Sequence, residues 1–358
     1  MGDVMMGTTF PEEILPPEDG ATLFRAVGPL LSGHDVVFGN LEGPLTDVEK
    51  SPKCPKPRRN GRPCFAFRTP PRYVRHLAEA GFTAVNVANN HSLDFGMEGM
   101  DNTLAALDNA GIRAVGGERI ALFTVSGRRV AVAGFSYSLR TRYVHPLLDL
   151  ERTREVVAEL KGANDLVVVS FHGGAEGADA MRVADADETF LGEERGNVVR
   201  FARAAVDAGA DLVLGHGPHV PRAIEIRNGK LIAYSLGNFA VYSMFNIKGP
   251  AGKGYVLQVE LDPETGDVVT RRPGTSSGSG RRRSPCATPA SRTPIRPGAR
   301  RSFCGNCRRS SSPTSPTPTP AAQRSPRRGS PLSRNPAASF PAASLRTLTG
   351  SARSRGVP

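Results

Sequence analysis

The residues able to do chemistry in this chain of 358 residues fall into six short groups set far apart: Asp3; Asn40 and Glu42; Asn90, His91 and Asp94; His172 and Glu176; His216 and His219; and Asn238. Carboxylate, amide oxygen and imidazole together suit Mn, Zn, Fe, Co or Mg, so the expected cofactor is one or two divalent metal ions. In a two-metal site a bridging carboxylate holds the ions together, and the pair polarises a phosphoryl or carbonyl oxygen and generates hydroxide near neutral pH. An imidazole beside such a site can donate or accept a proton. A lone histidine at a strand end is more often structural. Here four of the seven histidines fall in these groups, and their recurrence at separate strand ends argues for one clustered site.

Positioning these groups requires strands that deliver them. Thr83–Val87 is an apolar run ending in Asn89, Asn90 and His91, and polar groups at the carboxyl end of a buried strand lie where open α/β sheets place their chemistry. His34–Asn40 delivers Asn40 and Glu42, Asp165–Phe171 delivers His172, and Asp211–Leu214 delivers His216 and His219. Helices are expected over Pro71–Ala80, Glu98–Ala110, Glu151–Lys161 and Glu193–Ala208. Hairpins are expected around Ser126-Gly127 and Asn228-Gly229, the second return strand running on into Ser235–Phe239. Tyr255–Leu261 reads as a further strand. Strands alternating with helices and then hairpins indicate a mixed α/β sandwich. Residues 1–7 suit a loop leaving a strand: either Asp3 is an ordinary N-terminal residue, or the first strand is missing, which would leave Asp3 poorly anchored.

Charge divides the chain. The net charge is +12, yet residues 271–358 hold 18 Arg and no Lys, Asp or Glu, so residues 1–270 hold 28 basic and 34 acidic side chains. The expected division is a domain over 1–270 and a low-complexity basic tail over 271–358, disordered or translated out of frame. A nucleic-acid partner rests on the tail alone. No stretch is apolar and long enough to span a bilayer, and the opening residues lack a signal-peptide pattern. Cys54 and Cys64 flank a Pro- and Arg-rich loop, as a small disulfide or as two unpaired thiols. Cys304 and Cys307 form a CxxC with no second ligand pair.

The segments Gly2-Asp3-Val4-Met5-Met6, Asn40-Leu41-Glu42, Ala88-Asn89-Asn90-His91-Ser92-Leu93-Asp94-Phe95-Gly96, His172-Gly173-Gly174-Ala175-Glu176, Gly215-His216-Gly217-Pro218-His219-Val220 and Ser235-Leu236-Gly237-Asn238-Phe239 stand in the order found in the CapA family of poly-γ-glutamate capsule biosynthesis. The chain resembles that family over about residues 1–262. The family is a branch of the calcineurin-like metallophosphoesterases. The resemblance implies a four-layer α/β/β/α sandwich with metals at the strand carboxyl ends. It implies that Asp3 and His219 hold a first metal, that Glu42 bridges, and that Asn90, His172 and His216 hold a second. His91 would be the general acid oriented by Asp94, with Asn40, Glu176 and Asn238 as substrate or supporting contacts. Two departures weaken the first position: Met5 stands where the superfamily has His, and Glu42 where it has Asp.

The resemblance also implies a role in capsule or cell-envelope polymer synthesis, as a metal-dependent hydrolase of a phosphoester or a γ-glutamyl amide. The alternative is a binding or export component without turnover. The implied partners are an anionic envelope polymer or its precursor and membrane proteins of capsule synthesis. Family members work tethered to the membrane or outside the cell, and this chain shows no tether of its own.

Overall fold

The computed structural model describes residues 1–269, apart from 57, 60–61 and 139–140, together with 345–349. The rest of the basic tail and the Cys304/Cys307 pair lie outside the described residues. In chain order the principal strands are β1 (Asp3–Met5), β2 (Phe38–Leu41), β3 (Ala84–Asn86), β4 (Arg113–Val115), β5 (Ala121–Val125), β6 (Arg128–Ser136), β7 (Leu166–His172), β8 (Leu212–His216), β9 (Ile224–Arg227), β10 (Lys230–Ala233) and β11 (Asn238–Val241). The helices are α1 (Gly28–Leu31), α2 (Val74–Glu79), α3 (Gly96–Asn109), α4 (Leu150–Ala163) and α5 (Val198–Asp207).

Two sheets result. The first runs β11-β1-β2-β3-β4 with every pair parallel. The second runs β9-β10-β8-β7-β6-β5, antiparallel only at its two edge pairs, and His145–Pro146 adds a short seventh strand beside β6. Central strands such as Leu-Val-Val-Val-Ser-Phe of β7 are almost continuously apolar because both of their faces are covered. Between the sheets Phe38, Ala84 and Val115 meet Leu212, Leu214, Leu231 and Ala233. Leu31, Leu77, Met100, Leu104 and Leu107 cover the outer face of the first sheet. Val156, Val157, Phe201, Ala202 and Ala205 cover the second. Helices, sheet, sheet, helices are the four layers that the sequence implied.

Local chemistry sets the element ends. Asp149 caps α4 by accepting from the Arg152 N–H, and Asn197 caps α5 by accepting from Arg200. The helix expected over Glu193–Ala208 is shorter than its periodicity suggested. Glu193–Gly196 instead pairs as a strand with Glu188–Phe190, because Gly196 takes φ +83° and Asn197 starts the helix only afterwards. The strand expected to run through Ser235–Phe239 breaks at Gly237, φ +70°, and its continuation leaves the second sheet to become β11 of the first. Of the expected Tyr255–Leu261 strand, Lys253–Leu257 is regular and pairs antiparallel with Leu345–Thr349.

Asp3 is firmly held. Residues 3–5 form a strand between β2 and β11, the Asp3 N–H donates to the Gly237 carbonyl at 2.9 Å, and the side chain is fully buried. Cys54 and Cys64 are joined in a disulfide.

Candidate metal centre

Register decides which side chains share a level. In the first sheet Asp3 lies beside Asn238 on one side and Asn40 on the other, and Asn40 lies beside Asn86. In the second, His172 lies beside His216 and Ser136. These two rows lie at the carboxyl ends of β2, β3, β6, β7 and β8, with Asp3 and Asn238 the first residues of β1 and β11. Asn40 ties them together: its Nδ2 donates to Asp3 Oδ1 at 2.9 Å and stands 3.3 Å from His172 Nδ1. Its Oδ1 accepts from Asn86 at 2.9 Å, a residue the sequence did not single out, and from Asn89 at 3.2 Å, assigned no site role from the sequence. Every one of these asparagines is buried.

Glu42 follows β2 and enters the space between the rows. Its Oε1 lies 3.4 Å from His219 Nε2, 3.9 Å from His172 Nε2 and 4.0 Å from His91 Nε2. His216 Nδ1 is 3.5 Å from Asp3 Oδ1, and His219 Nδ1 is 3.1 Å from Asp3 Oδ2. His219 takes φ +57°, a region costly for a residue with a Cβ, and it persists where surrounding structure over-determines it. That turn, after Gly217 and Pro218, brings the His219 ring back over Asp3 and Glu42. Asn238 Oδ1 lies 3.2 Å from His219 Nδ1, and Glu176 Oε2 lies 4.0 Å from Nε2.

The decisive feature is what these atoms lack. Asp3 Oδ2, both Glu42 oxygens, Asn90 Oδ1, His172 Nε2 and both His216 nitrogens are buried without a hydrogen-bond partner. Asp3, Glu42 and His172 present ligand atoms within 4.8 Å of one another. Unpaired buried polar groups are costly, and here they are all of the types that bind a divalent cation. The residues fit such an ion.

Protonation follows burial and charge. Burial drives His172 well below its ordinary value and lowers His216, so both are neutral imidazoles with a lone pair to offer. Burial raises Glu42, and the charges of Asp3 and Glu176 raise it further. Burial would raise Asp3 too, but the adjacent His216 and His219 imidazoles outweigh it and hold the carboxyl below the usual range. Burial opposes charge on His219, yet Glu42 and Asp3 overcome it and push the imidazole up to about 10.

His91 and Asp94 lie in the turn after β3. His91 Nδ1 is 2.7 Å from Asp94 Oδ2, and its Nε2 faces Glu42. Burial lowers its pKa, with Asp94 acting upward and Lys53 downward. Phe67 stacks on the ring at 4.1 Å, and Phe245 packs on both Phe67 and His219. No sequence signal marked Lys53, Phe67 or Phe245, because each reaches the site from a distant loop. A cleft of about 410 Å³, mostly apolar, opens at the opposite ends of the strands, around Val130, Leu166 and Leu212. It has no part in this chemistry.

The fold and site define an α/β/β/α sandwich with carboxylate, amide and imidazole groups converging on facing strand ends. Residues 1–243 match the family described as bacterial capsule synthesis protein PGA_cap, and the chain belongs to that family. It is 31% identical over 255 residues to the PGA biosynthesis protein CapA of Bacillus subtilis (strain 168), covering 67% of this chain and 61% of that protein. It is also 31% identical over 257 residues to the capsule biosynthesis protein CapA of Bacillus anthracis, covering 67% and 58%. The chain therefore spans less than two thirds of either relative's length. A solved structure described as a novel phosphatase from Mycoplasma pneumoniae aligns with a TM-score of 0.38 at 17% identity, covering 60% of this chain and 66% of that one.

Proposed function

We propose that this chain is a metal-dependent hydrolase of capsule or cell-envelope polymer synthesis, cleaving a phosphoester or a γ-glutamyl amide. The observation that carries this reading is the set of buried, unpartnered ligand atoms converging between two strand-end rows. Asp3 and His219 would hold one ion, Asn90, His172 and His216 another, with Glu42 between them. A bound divalent ion supplies Lewis acidity and brings the pKa of its water close to 7.

The chain's own residues do the rest. Asn40 aligns Asp3 and His172, while Phe67, stacked on His91, and Phe245, packed on His219, limit water around the two imidazoles. Asp94 accepts from His91 Nδ1–H, which leaves Nε2 as the reactive nitrogen. At rest that imidazole is neutral. An anionic substrate beside it favours the protonated ring, whose Nε2–H then donates to the leaving oxygen. Glu176 and Asn238 flank His219 at the edge of the site and suit contacts to substrate. The relatives named for capsule and PGA biosynthesis support an anionic envelope polymer or its precursor as the substrate, and capsule-synthesis membrane proteins as partners.

The test pairs elemental analysis with hydrolysis of bis-p-nitrophenyl phosphate and of γ-glutamyl p-nitroanilide in added Mn or Zn. The parent should hold two ions, His216→Ala should lose metal, and His91→Ala should keep metal while losing turnover. If both variants match the parent, the site is misassigned. One observation favours the second reading, a binding or export role: Met5, where the superfamily has His, is a buried thioether, a weak ligand for hard ions. About one ion per chain with neither substrate cleaved would select that reading.

A further inference from the structure

The loop between Cys54 and Cys64 closes back on the His91–Asp94 pair from both of its ends. On the first arm, Lys53 Nζ donates to Asp94 Oδ1 at 2.7 Å and to the Asn90 carbonyl at 3.1 Å. Ser51 Oγ donates to the Asp94 carbonyl at 2.6 Å and accepts from the Cys54 N–H at 3.0 Å. On the second arm, the Phe67 N–H donates to Asp94 Oδ2 at 2.7 Å while its ring stacks on His91. Between the arms, Cys54 and Cys64 are bonded to each other, and Cys54 packs with Ala66 and Phe95.

We propose that Lys53 is a positioning residue for His91, and that the Cys54–Cys64 disulfide clamps the two arms that hold it there. The inference rests on the reading of His91 as the proton-transfer group. Asp94 is fully buried, and it receives three donors: Lys53, Phe67 N–H and His91. At 2.7 Å from a carboxylate oxygen, His91 Nδ1 must carry its hydrogen, since two lone pairs would repel. The Lys53 ammonium stands 3.3 Å from that same nitrogen, a contact that cannot be a hydrogen bond once Nδ1 is protonated. Its role is to pin the carboxylate and so fix the tautomer, which leaves Nε2 free toward Glu42. Second contacts of this kind commonly change activity 10–100-fold when removed.

A lysine side chain 34% exposed to water would leave such a post readily if its loop were free. The disulfide shortens the free path between the arms, so that neither can swing away without the other. Two electrons and two protons from dithiothreitol, itself oxidised to its cyclic disulfide, would convert the bond to two thiols and release the arms.

The experiment uses the full chain in four forms: parent, parent reduced with dithiothreitol, Cys54→Ser/Cys64→Ser, and Lys53→Met, with the exposed Lys56→Met as control. The first readout is the His91 tautomer by 15N NMR of histidine-labelled protein, which needs no catalytic activity. The second is bis-p-nitrophenyl phosphate hydrolysis with Mn, beside metal content and circular dichroism. The parent and Lys56→Met should show a single Nδ1–H tautomer. Lys53→Met should show mixed tautomers, with kcat down about 10–100-fold, KM and metal content unchanged. Reduction and the double serine variant should fall in the same direction, and reoxidation should restore only the parent. If the parent hydrolyses nothing, the proposed reaction fails and the tautomer alone decides the clamp. A pure Nδ1–H tautomer in Lys53→Met overturns the role of Lys53, and one in both disulfide-free forms overturns the clamp.

Discussion

Gly134 sits in β6 where the first sheet's Val115 and Asn86 approach it closely, and a methyl group placed there tests the arrangement. A Cβ at this position would lie 2.4 Å from Asn86 Oδ1 and 3.1 Å from both the Gly116 Cα and the Val115 carbonyl oxygen. The backbone neighbours cannot retreat, so Asn86 must. Asn86 Nδ2 donates to Asn40 Oδ1 and to the Ala88 carbonyl, each at 2.9 Å, and moving it breaks at least one of these buried bonds. Overpacking costs about 1–3 kcal/mol, and leaving a buried amide unsatisfied costs about 1–3 kcal/mol. The buried methyl returns about 0.8 kcal/mol. Gly134→Ala should therefore destabilise the chain by about 1–5 kcal/mol, read as a lower urea midpoint at constant m in circular dichroism. Removing the obstacle should rescue it. Asn86→Ala alone loses its hydrogen bonds, but in the double variant the new methyl occupies the space that the amide left. The double-mutant cycle should show a favourable coupling above about 0.5 kcal/mol. Additive effects, or a Gly134→Ala variant as stable as the parent, would refute the close approach and with it the inward position of Asn86.

Phe201→Ala removes a fully buried ring packed edge-on against Phe135 and Phe171 at 5.4 and 5.3 Å; a loss of about 3–5 kcal/mol is expected by urea unfolding, and under 1 kcal/mol would contradict this core. For the metal-free chain held in chelator, the His219 pKa is raised to about 10 from an ordinary 6.5. A raised pKa contributes stability that is complete below pH 6.5 and lost as pH climbs through about 10. Unfolding midpoints should therefore fall between pH 7 and 10 in the parent and less steeply in His219→Gln; parallel profiles would remove that assignment. Saturating Mn or Zn at a hundredfold excess over Kd should stabilise the parent by about 2.7 kcal/mol per site, and Asp3→Asn should weaken that gain. An equal gain in the variant would exclude Asp3 as a ligand.

Strand ends were legible because apolar runs stop abruptly at polar residues. Leu166–His172 and Leu212–His216 differ from the expected spans by only one or two residues. The helix expected over Glu193–Ala208 is too long because its apolar face begins only at Val198; Glu193–Arg195 carry none of it, and Gly196 with its positive φ separates them from the Asn197 cap. Asp3 looked unsupported because its neighbours in sequence form no further strand. Its support comes from β2 and β11, which lie far away along the chain.

The sequence by itself determined the candidate ligand types and the strands behind Asn40, His91, His172 and His216, though not those of Asp3 and Asn238, since residue chemistry and hydrophobic period are local properties. Tertiary structure alone decided the rest. Parallel register set Asp3, Asn40, Asn86 and Asn238 on one level and His172 beside His216 on another. Sheet packing then brought the two rows together through Asn40. Lys53, Phe67 and Phe245 entered from loops with no pattern of their own, because what places them is a contact with Asp94, His91 or His219 across the fold. Contacts between residues so distant in the chain are fixed only when loop closure and burial are settled together, and no local spacing encodes them.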